Sequence, residues 1–200
     1  MTNPWDDRYN RPGFLFGTDP AAFLVTHEAH LKRGLSALAV ADGEGRNSVF
    51  MAEKGVKVTA MDYSEVAIDK ARGLAAARSA PVTFQQADLH AWDWDATQYD
   101  LVVGIFIQFA DPAFRSEIFD GMKRALKPGG TLLLHGYTPK QVEYGTGGPS
   151  NPDHMYTEPL LREAFGDLDI LHLEAYERDL SEGPGHSGRS ALIDLIARKP

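Results

Sequence analysis

Short apolar runs alternate with amphipathic segments over the first two thirds of the chain. Such runs are typical of strands that are buried on both faces of a sheet. The five predicted strands are residues 35–40, 56–61, 81–87, 100–106 and 131–135. Between them, small and apolar residues recur at helical spacing. Strands that alternate with helices favour right-handed crossovers, and therefore a parallel, doubly wound α/β sheet.

The pattern changes after residue 135. Residues 136–156 read as a loop, and Thr157 with Pro159 can start a short helix that ends near Phe165. Two final strands, 168–177 and 190–197, are joined by a short connection, which favours an antiparallel hairpin at the sheet edge. The predicted fold is thus a doubly wound, seven-stranded, mostly parallel sheet with an antiparallel C-terminal hairpin.

Several helix starts can be predicted from capping residues. Ser64 precedes a segment with Ala67, Ala71 and Leu74 at helical spacing, and Asp111-Pro112 opens another such segment. Near the N-terminus, Asp19 as the cap and Pro20 in the first turn predict a helix that carries apolar residues toward the core: Phe23, Leu24 and Leu31.

The turn between the first two strands is the most informative stretch. It reads Asp42-Gly43-Glu44-Gly45-Arg46-Asn47, and a predicted helix over 48–54 and a strand ending in Asp62 follow it. A strand, glycine turn, helix, strand and terminal acid form a nucleoside-binding unit, in which Asp62 can bond a ribose. A dinucleotide site would need a third glycine where Ser48 stands, and the acids of the turn would repel a pyrophosphate. They suit a cationic ligand instead.

Composition narrows the possible partners. The chain has 200 residues, a net charge of −8 and no cysteine. One domain is therefore expected, without disulfides or a nucleic-acid partner, and a cytoplasmic location fits. We expect no signal peptide, because residues 1–8 lack its basic and apolar regions. We expect no membrane segment, because no apolar stretch approaches the required length. His27 and His30 lack a third ligand in register, so no metal site is expected.

With these parts placed, the chain resembles the class I S-adenosylmethionine (SAM) dependent methyltransferases over nearly its whole length. The resemblance rests on the glycine turn, Asp62, Asp88-Leu89, and the segment 126–130 before a strand. Within that family it is most similar to the small bacterial branch near tellurite-resistance and thiopurine-type methyltransferases. The residues that carry this finer resemblance are Trp5-Asp6-Asp7-Arg8-Tyr9, Phe16-Gly17, Pro20, Thr146-Gly147-Gly148-Pro149, and Glu182 with His186-Ser187-Gly188.

The chain also departs from the family pattern. Ala39 stands where the family usually has an acid, and Ala41 stands at the first glycine of the motif. Asp42 is our candidate for the missing acid's role toward the methionine end of the cofactor. No Asp/Asn-Pro-Pro-Tyr motif follows the fourth strand, which disfavours amide nitrogen as the acceptor.

The resemblance implies SAM as the cofactor, in a Rossmann-like methyltransferase fold. Asp62 would accept both ribose hydroxyls, Tyr63 would cover the adenine, and Asp88 would accept the adenine amino hydrogen. The full set of expected cofactor-binding residues is Tyr9, Phe16, Asp42, Gly43, Gly45, Asn47, Asp62, Tyr63, Asp88, Leu89, Ile105 and Phe106. Residues 1–19 are expected to form an aromatic lid segment on this single domain of residues 1–200.

The acceptor is expected to be a small molecule, with a thiol or chalcogen compound favoured. Residues 136–156 and 179–189 would form substrate-side loops, and His186 is the candidate base. Arg8 and Tyr144 could bind an anionic acceptor. We interpret His90, His135, His154 and His172 as bystanders.

The alternatives are O- or N-methylation of a small metabolite, and a non-catalytic SAM-binding or scaffold protein. The last alternative is an NAD-dependent oxidoreductase, which Ser48 and the acids of the turn disfavour. A monomer or a weak homodimer is expected.

Overall fold

The computed structural model describes residues 3–200, which form two compact bodies. Met1 and Thr2, the start of the predicted lid segment, lie outside the described residues. The first body contains the chain up to Trp92 together with Glu182–Gly185. Its elements are α1 (Pro4–Tyr9), α2 (Ala22–Thr26), β1 (Ser36–Val40), α3 (Arg46–Glu53), β2 (Lys57–Asp62), α4 (Glu65–Ala77) and β3 (Val82–Gln86).

The second body contains Asp93–Ser181 and His186–Pro200. Its elements are β4 (Tyr99–Ile105), α5 (Pro112–Arg124), β5 (Leu126–Tyr137), α6 (Gln141–Tyr144), α7 (Glu158–Ala164), β6 (Asp169–Ser181) and β7 (Ser187–Arg198). Among residues 3–200, none of these helices combines the length and apolar character needed to cross a membrane.

The seven strands form a sheet in the order β3-β2-β1-β4-β5-β7-β6. Strand β2 pairs in parallel with β1 and β3, and β4 pairs in parallel with β5. Strand β7 is antiparallel to both β5 and β6. This arrangement confirms the predicted fold class, including the C-terminal hairpin. The prediction of a single domain stays a prediction.

Three predicted helix caps are confirmed. Ser64, Asp111 and Thr157 each accept a hydrogen bond from a backbone N–H in the first turn of the helix that follows. Each side chain thus satisfies one of the N–H groups that have no partner within the helix.

The predicted Asp19 cap is wrong. Helix α2 begins at Ala22, and the Asp19 side chain is almost fully exposed. The Ala21 N–H donates instead to the Asn47 side chain, at 2.9 Å. A distant residue therefore satisfies this helix start, and a local sequence pattern cannot reveal it.

Other boundaries also differ from the prediction. Helix α3 begins at Arg46 and not at Ser48, because Gly45 takes the N-cap position. Strand β5 begins at Leu126 and not at residue 131. Its pairing with β4 skips residues 127–130, which form a bulge. The predicted loop 136–156 contains the end of β5, helix α6 and a short 3-10 turn at Pro152–His154.

Candidate functional site

The glycine turn after β1 holds its backbone in the left-handed region. Ala41 has φ 47°, Gly43 φ 61° and Gly45 φ 89°. A residue with a Cβ is strained in this region by about 1–2 kcal/mol. Ala41 therefore adopts the conformation for which the family's glycine is suited, and the turn keeps its shape at the expense of strain.

Asp62, at the end of β2, points its carboxylate at this turn. One oxygen accepts from the Gly43 N–H at 2.8 Å, and the other accepts from the Ser64 N–H at 2.9 Å. Burial raises the pKa of this carboxyl, although its backbone hydrogen bonds oppose the shift. A carboxylate has about four acceptor sites, so Asp62 can still accept ligand hydroxyls.

Tyr9, from α1, lies directly on the turn. A Cβ added to Gly43 would be 2.9 Å from the Tyr9 hydroxyl, a distance that would force one of them to shift. Burial raises the pKa of Tyr9 far above its usual range, and the neighbouring Asp62 and Glu44 carboxylates raise it further. The structure thus brings together three of the predicted cofactor residues: Tyr9, Gly43 and Asp62.

Gly45 serves close packing between elements. A Cβ there would be 2.7 Å from the Cβ of Ala71 on α4. The sequence-based interpretation had assigned this glycine to ligand approach, but the structure shows a helix at the position where a side chain would project.

Asp42, in the same turn, has one enclosed carboxylate oxygen. Its Oδ2 is inaccessible to solvent and has no hydrogen-bond partner among the described residues. Burial raises the pKa of Asp42 to about 7, and Asp62 contributes in the same direction, while a hydrogen bond with Ser48 opposes the shift. An enclosed carboxylate oxygen without a donor is suited to receive one from a ligand.

The expectation that Glu44 faces the ligand is wrong. Its Oε1 pairs with Lys70 at 3.0 Å, and its Oε2 accepts from the Leu15 and Phe16 N–H groups at 2.7 and 3.4 Å. Lys70 also donates to three backbone carbonyls of the N-terminal segment, those of Tyr9, Arg11 and Gly13. Glu44 and Lys70 therefore anchor the predicted lid segment.

Arg46 anchors the connection between β6 and β7. Its guanidinium pairs with Glu182 at 2.9 Å, and both side chains are buried. Glu182 also accepts from the Ala22 N–H at 2.9 Å. In the same connection, a Cβ on Gly185 would be 2.4 Å from the Phe16 ring. Within the first body, the predicted lid segment and the tip of a predicted substrate-side loop therefore pack together.

Four other predicted residues of the first body are exposed or half-buried. Asp88 is exposed and accepts from the His90 N–H at 3.0 Å, and Leu89 beside it is half-buried. The Tyr63 ring is 49% exposed. Arg8 is exposed and lies 4.6 Å above the centre of the Trp5 ring. Asn47, by contrast, is buried, and its side-chain oxygen accepts from Ala21, so its predicted cofactor role competes with a structural one.

The second body carries a cluster of rings around Phe106, which directly follows Ile105 at the end of β4. The Phe106 ring centre lies 4.1 Å from His186, 4.6 Å from His135 and 4.7 Å from Tyr137. Phe106 has φ 56°, which is unusual for a bulky residue. Strain of this kind concentrates at functional sites. We name Phe106, His135, Tyr137 and His186 the aromatic cluster.

His135, which the sequence analysis interprets as a bystander, has a buried carboxylate partner. Its Nδ1 lies 2.6 Å from Oδ1 of Asp194, and both side chains are buried. The Tyr176 hydroxyl donates to the same oxygen at 3.2 Å. The sequence contained one signal for this pair, because His135 directly follows a run of three leucines and Asp194 interrupts an aliphatic run.

Tyr144 lies apart from this cluster, in a surface network. Its hydroxyl donates to Glu177 at 2.6 Å, and Lys140 and Arg189 also hydrogen-bond to that carboxylate. These three donors, Lys140 first, lower the pKa of Glu177 to about 2. A hydroxyl committed to a carboxylate is poorly placed to bind an anionic acceptor.

Comparison with known proteins can now be set beside this geometry. Residues 37–130 match the family model described as a methyltransferase domain. Curated relatives include an uncharacterized protein of Mycobacterium tuberculosis (strain ATCC 25618 / H37Rv), 28% identical over 122 residues, or 60% of this chain and 44% of the relative. The chain spans less than half the length of these relatives.

Solved structures share the fold over most of the chain. A protein studied for the conversion of a disulfide bond into a thioacetal group during echinomycin biosynthesis has a TM-score of 0.79 and 19% identity, over 98% of this chain and 90% of that one. TehB from Haemophilus influenzae has a TM-score of 0.70 and 21% identity, over 88% and 61%. A SAM-dependent methyltransferase from Methanosarcina mazei has a TM-score of 0.70 and 22% identity, over 90% and 98%.

At these identities the structural likeness establishes the fold. The match of residues 37–130 to a methyltransferase domain agrees with the predicted enzyme class.

Proposed function

We propose that this chain transfers a methyl group from SAM to a small-molecule acceptor, with a thiol or chalcogen compound favoured. The observation that carries the proposal is the acidic glycine turn. Asp62 is fixed against Gly43, and beside it Asp42 has an enclosed oxygen without a partner among the described residues. Two acids in one enclosed turn favour a cation over a pyrophosphate.

In this proposal, the glycine turn and Asp62 hold the donor. Asp62 accepts the ribose hydroxyls with the acceptor capacity that its two backbone hydrogen bonds leave. The exposed ring of Tyr63 stacks on the adenine, and Asp88 accepts from the adenine amino group. When bound, SAM supplies an electrophilic methyl group on a sulfonium centre.

Asp42 takes the role of the acid that Ala39 replaces. Its enclosed oxygen accepts from the ammonium group of the donor, and its negative charge attracts the sulfonium. Tyr9, whose hydroxyl lies beside Gly43, closes this end of the turn.

The acceptor binds at the aromatic cluster. The ring faces of Phe106 and Tyr137 attract polarisable groups, and His186, whose ring centre lies 4.1 Å from that of Phe106, is a candidate base beside them. Arg8, exposed on α1, is the candidate for an anionic group on the acceptor. Tyr144 receives no role, because its hydroxyl binds Glu177. We further propose a cytoplasmic monomer or weak homodimer that has no nucleic-acid partner.

The structural likeness to TehB is consistent with the predicted branch, whose acceptors are chalcogen oxyanions and thiols. At 21% identity this likeness concerns the fold, so the acceptor class comes from the sequence resemblance and from the soft, aromatic character of the cluster around Phe106.

A turnover panel tests the proposal. Thiols, phenols, amines and chalcogen oxyanions are each incubated with methyl-labelled SAM, and labelled product and S-adenosylhomocysteine (SAH) are measured together. We expect the highest rate with a thiol or chalcogen compound, and a His186→Ala variant that turns over slowly but binds SAM normally. SAM binding without turnover of any acceptor would favour a non-catalytic protein. A thermal shift with NAD(H) but not with SAM would favour an oxidoreductase.

A further inference from the structure

His135 and Asp194 are polar residues within aliphatic strands. Leu133 and Leu134 precede His135, and Ile193 and Leu195 flank Asp194; all four of these neighbours are fully buried. Burying a carboxylate is costly unless it is paired and hydrogen-bonded. Two aliphatic side chains at positions 135 and 194 would pack without that cost. The His135–Asp194 pair therefore requires an explanation beyond the stability of the sheet.

The geometry fixes how the imidazole is oriented. His135 and Asp194 are directly opposite each other in the β5–β7 ladder, and Nδ1 lies 2.6 Å from the carboxylate. A carboxylate can only accept, so Nδ1 carries a proton and Nε2 is the proton-accepting atom. The Tyr176 hydroxyl, at 3.2 Å, holds the same carboxylate oxygen.

The pair lies where ligands bind in sheets of this type. His135 is opposite Ile105 in the β4–β5 ladder, near the carboxyl ends of both strands. In open α/β sheets, ligands bind at this end of the strands. The Phe106 N–H donates to the His135 carbonyl at 2.9 Å, and the strained Phe106 ring lies edge-to-face with the imidazole.

We propose that His135, oriented by Asp194, accepts the proton of an aromatic thiol or phenol that binds against the Phe106 ring. This rests on the proposed function and specifies its acceptor class: a molecule with an ionisable X–H bond next to an aromatic ring, and not a metalloid oxyanion. The X–H proton moves to Nε2, and the electron pair of that bond stays on X and forms the new bond to the methyl carbon of SAM. The bond from this carbon to the sulfonium sulfur breaks, its electron pair stays on sulfur, and SAH leaves. The proton then leaves Nε2 for solvent. His135 is a catalytic residue, and Asp194 and Tyr176 are positioning residues.

A series of acceptors of graded acidity tests the pair. Aryl thiols and phenols are methylated at one pH by the wild type, by Asp194→Asn and by Tyr176→Phe. An acceptor that is already ionised in water needs no base, so Asp194→Asn should slow it less than about 3-fold, but should slow the least acidic phenol by about 10–100-fold. Tyr176→Phe should show the same trend with a smaller amplitude. A matched control is Asp169→Asn, an exposed carboxylate on the same hairpin, which should leave every rate unchanged.

An equal rate loss for all acceptors would show a merely structural role and overturn the proposal. The proposal would also be overturned if the rate loss grew with decreasing acceptor acidity in His186→Ala but not in Asp194→Asn, because His186 would then be the base. Failure of the wild type to methylate any thiol or phenol would overturn it as well. Calorimetric SAM binding, measured separately, decides whether the proposed function survives.

A spectroscopic titration gives a readout without turnover. With 4-nitrophenol at a pH where the free phenol is protonated, the wild type should produce the phenolate absorption band on binding. Asp194→Asn and His135→Gln should bind the phenol without this band, and Asp169→Asn should retain it. If the wild type produces no phenolate band, the proposal is wrong.

Discussion

The carboxylate of Asp62 accepts a 2.8 Å hydrogen bond from the backbone N–H of Gly43. This contact joins the end of β2 to the turn after β1, so the two halves of the predicted nucleoside-binding unit hold each other in place. The second oxygen is fixed by the Ser64 N–H at the start of α4. The acid is therefore oriented before any ligand arrives, which reduces the entropy that binding would cost.

Ala41→Gly should stabilise the protein. Ala41 has φ 47°, and glycine adopts this conformation without the Cβ strain. We expect a gain of about 0.5–1 kcal/mol in the free energy of unfolding, measured by denaturant titration. The matched control is Ala39→Gly, within β1, which should lose stability. A destabilised Ala41→Gly variant would contradict the assignment of strain to this position.

Gly43→Ala should be destabilising, and Tyr9→Phe should partly rescue it. The added Cβ would be 2.9 Å from the Tyr9 hydroxyl, whereas the nearest ring carbon is 3.5 Å away. Removing the hydroxyl relieves the closest contact. In a double-mutant cycle we expect a favourable coupling of at least about 0.5 kcal/mol.

The control for this cycle pairs Tyr9→Phe with Gly45→Ala. A Cβ on Gly45 meets Ala71 and not Tyr9, so these two changes should be additive. Equal coupling in the two cycles would mean that the Tyr9 hydroxyl does not occupy the space next to Gly43.

Lys70→Met should release the N-terminal segment. The ammonium group bonds three carbonyls of that segment and the buried Glu44 carboxylate, which itself holds the Leu15 N–H. We expect faster hydrogen exchange at the Leu15 and Phe16 amides and a loss of about 1–3 kcal/mol in stability. Arg72→Met on the same helix is the control, because Arg72 pairs with Asp69 at an exposed position. Unchanged exchange at Leu15 after Lys70→Met would rule out this anchoring role.

Asp42→Asn should change how stability depends on pH. Burial raises the pKa of Asp42 from 3.8 to about 7, so the folded protein holds a proton that the unfolded chain has already released. The stability contributed by the protonated acid is complete below pH 3.8 and is lost as the pH rises toward 7. The asparagine variant should therefore exceed the wild type by about 1–3 kcal/mol at pH 8, with a smaller difference near pH 4.

Thermal or denaturant unfolding across this pH range measures the effect. The exposed Asp69→Asn variant should show no such pH dependence relative to the wild type. Burial also raises the pKa of Asp62, so Asp62 contributes to the pH dependence of stability in the wild type and in both variants. Only the difference between Asp42→Asn and the wild type therefore reports on Asp42. A constant difference between Asp42→Asn and wild type would contradict the raised pKa.

The strands and the fold class could be predicted because the strands follow from local pattern. The apolar runs that became β1, β2 and β4, and the caps Ser64 and Asp111, depend on neighbours within a few residues. The glycine turn and Asp62 could also be placed, because a parallel sheet brings the carboxyl ends of adjacent strands to one edge.

The pairs that anchor the site join residues far apart in sequence. Arg46 meets Glu182, Lys70 meets Glu44, and His135 meets Asp194. A sequence pattern does not reveal the partner of a single charged residue. Glu44 was therefore wrongly expected to face a ligand, and the partner of His135 could not be predicted. The same reason explains the Asp19 error, since the donor at that helix start is satisfied from α3.

Calorimetric titration with SAM and SAH tests the central claim most directly. We predict saturable heat with both ligands in the wild type, and a loss of about 1–3 kcal/mol in binding free energy for Asp62→Ala, because buried hydrogen bonds are lost. Asp69→Ala, an exposed acid on α4, should bind as the wild type does. The absence of both heat and a thermal shift with SAM and with SAH, from folded wild-type protein, would contradict the account.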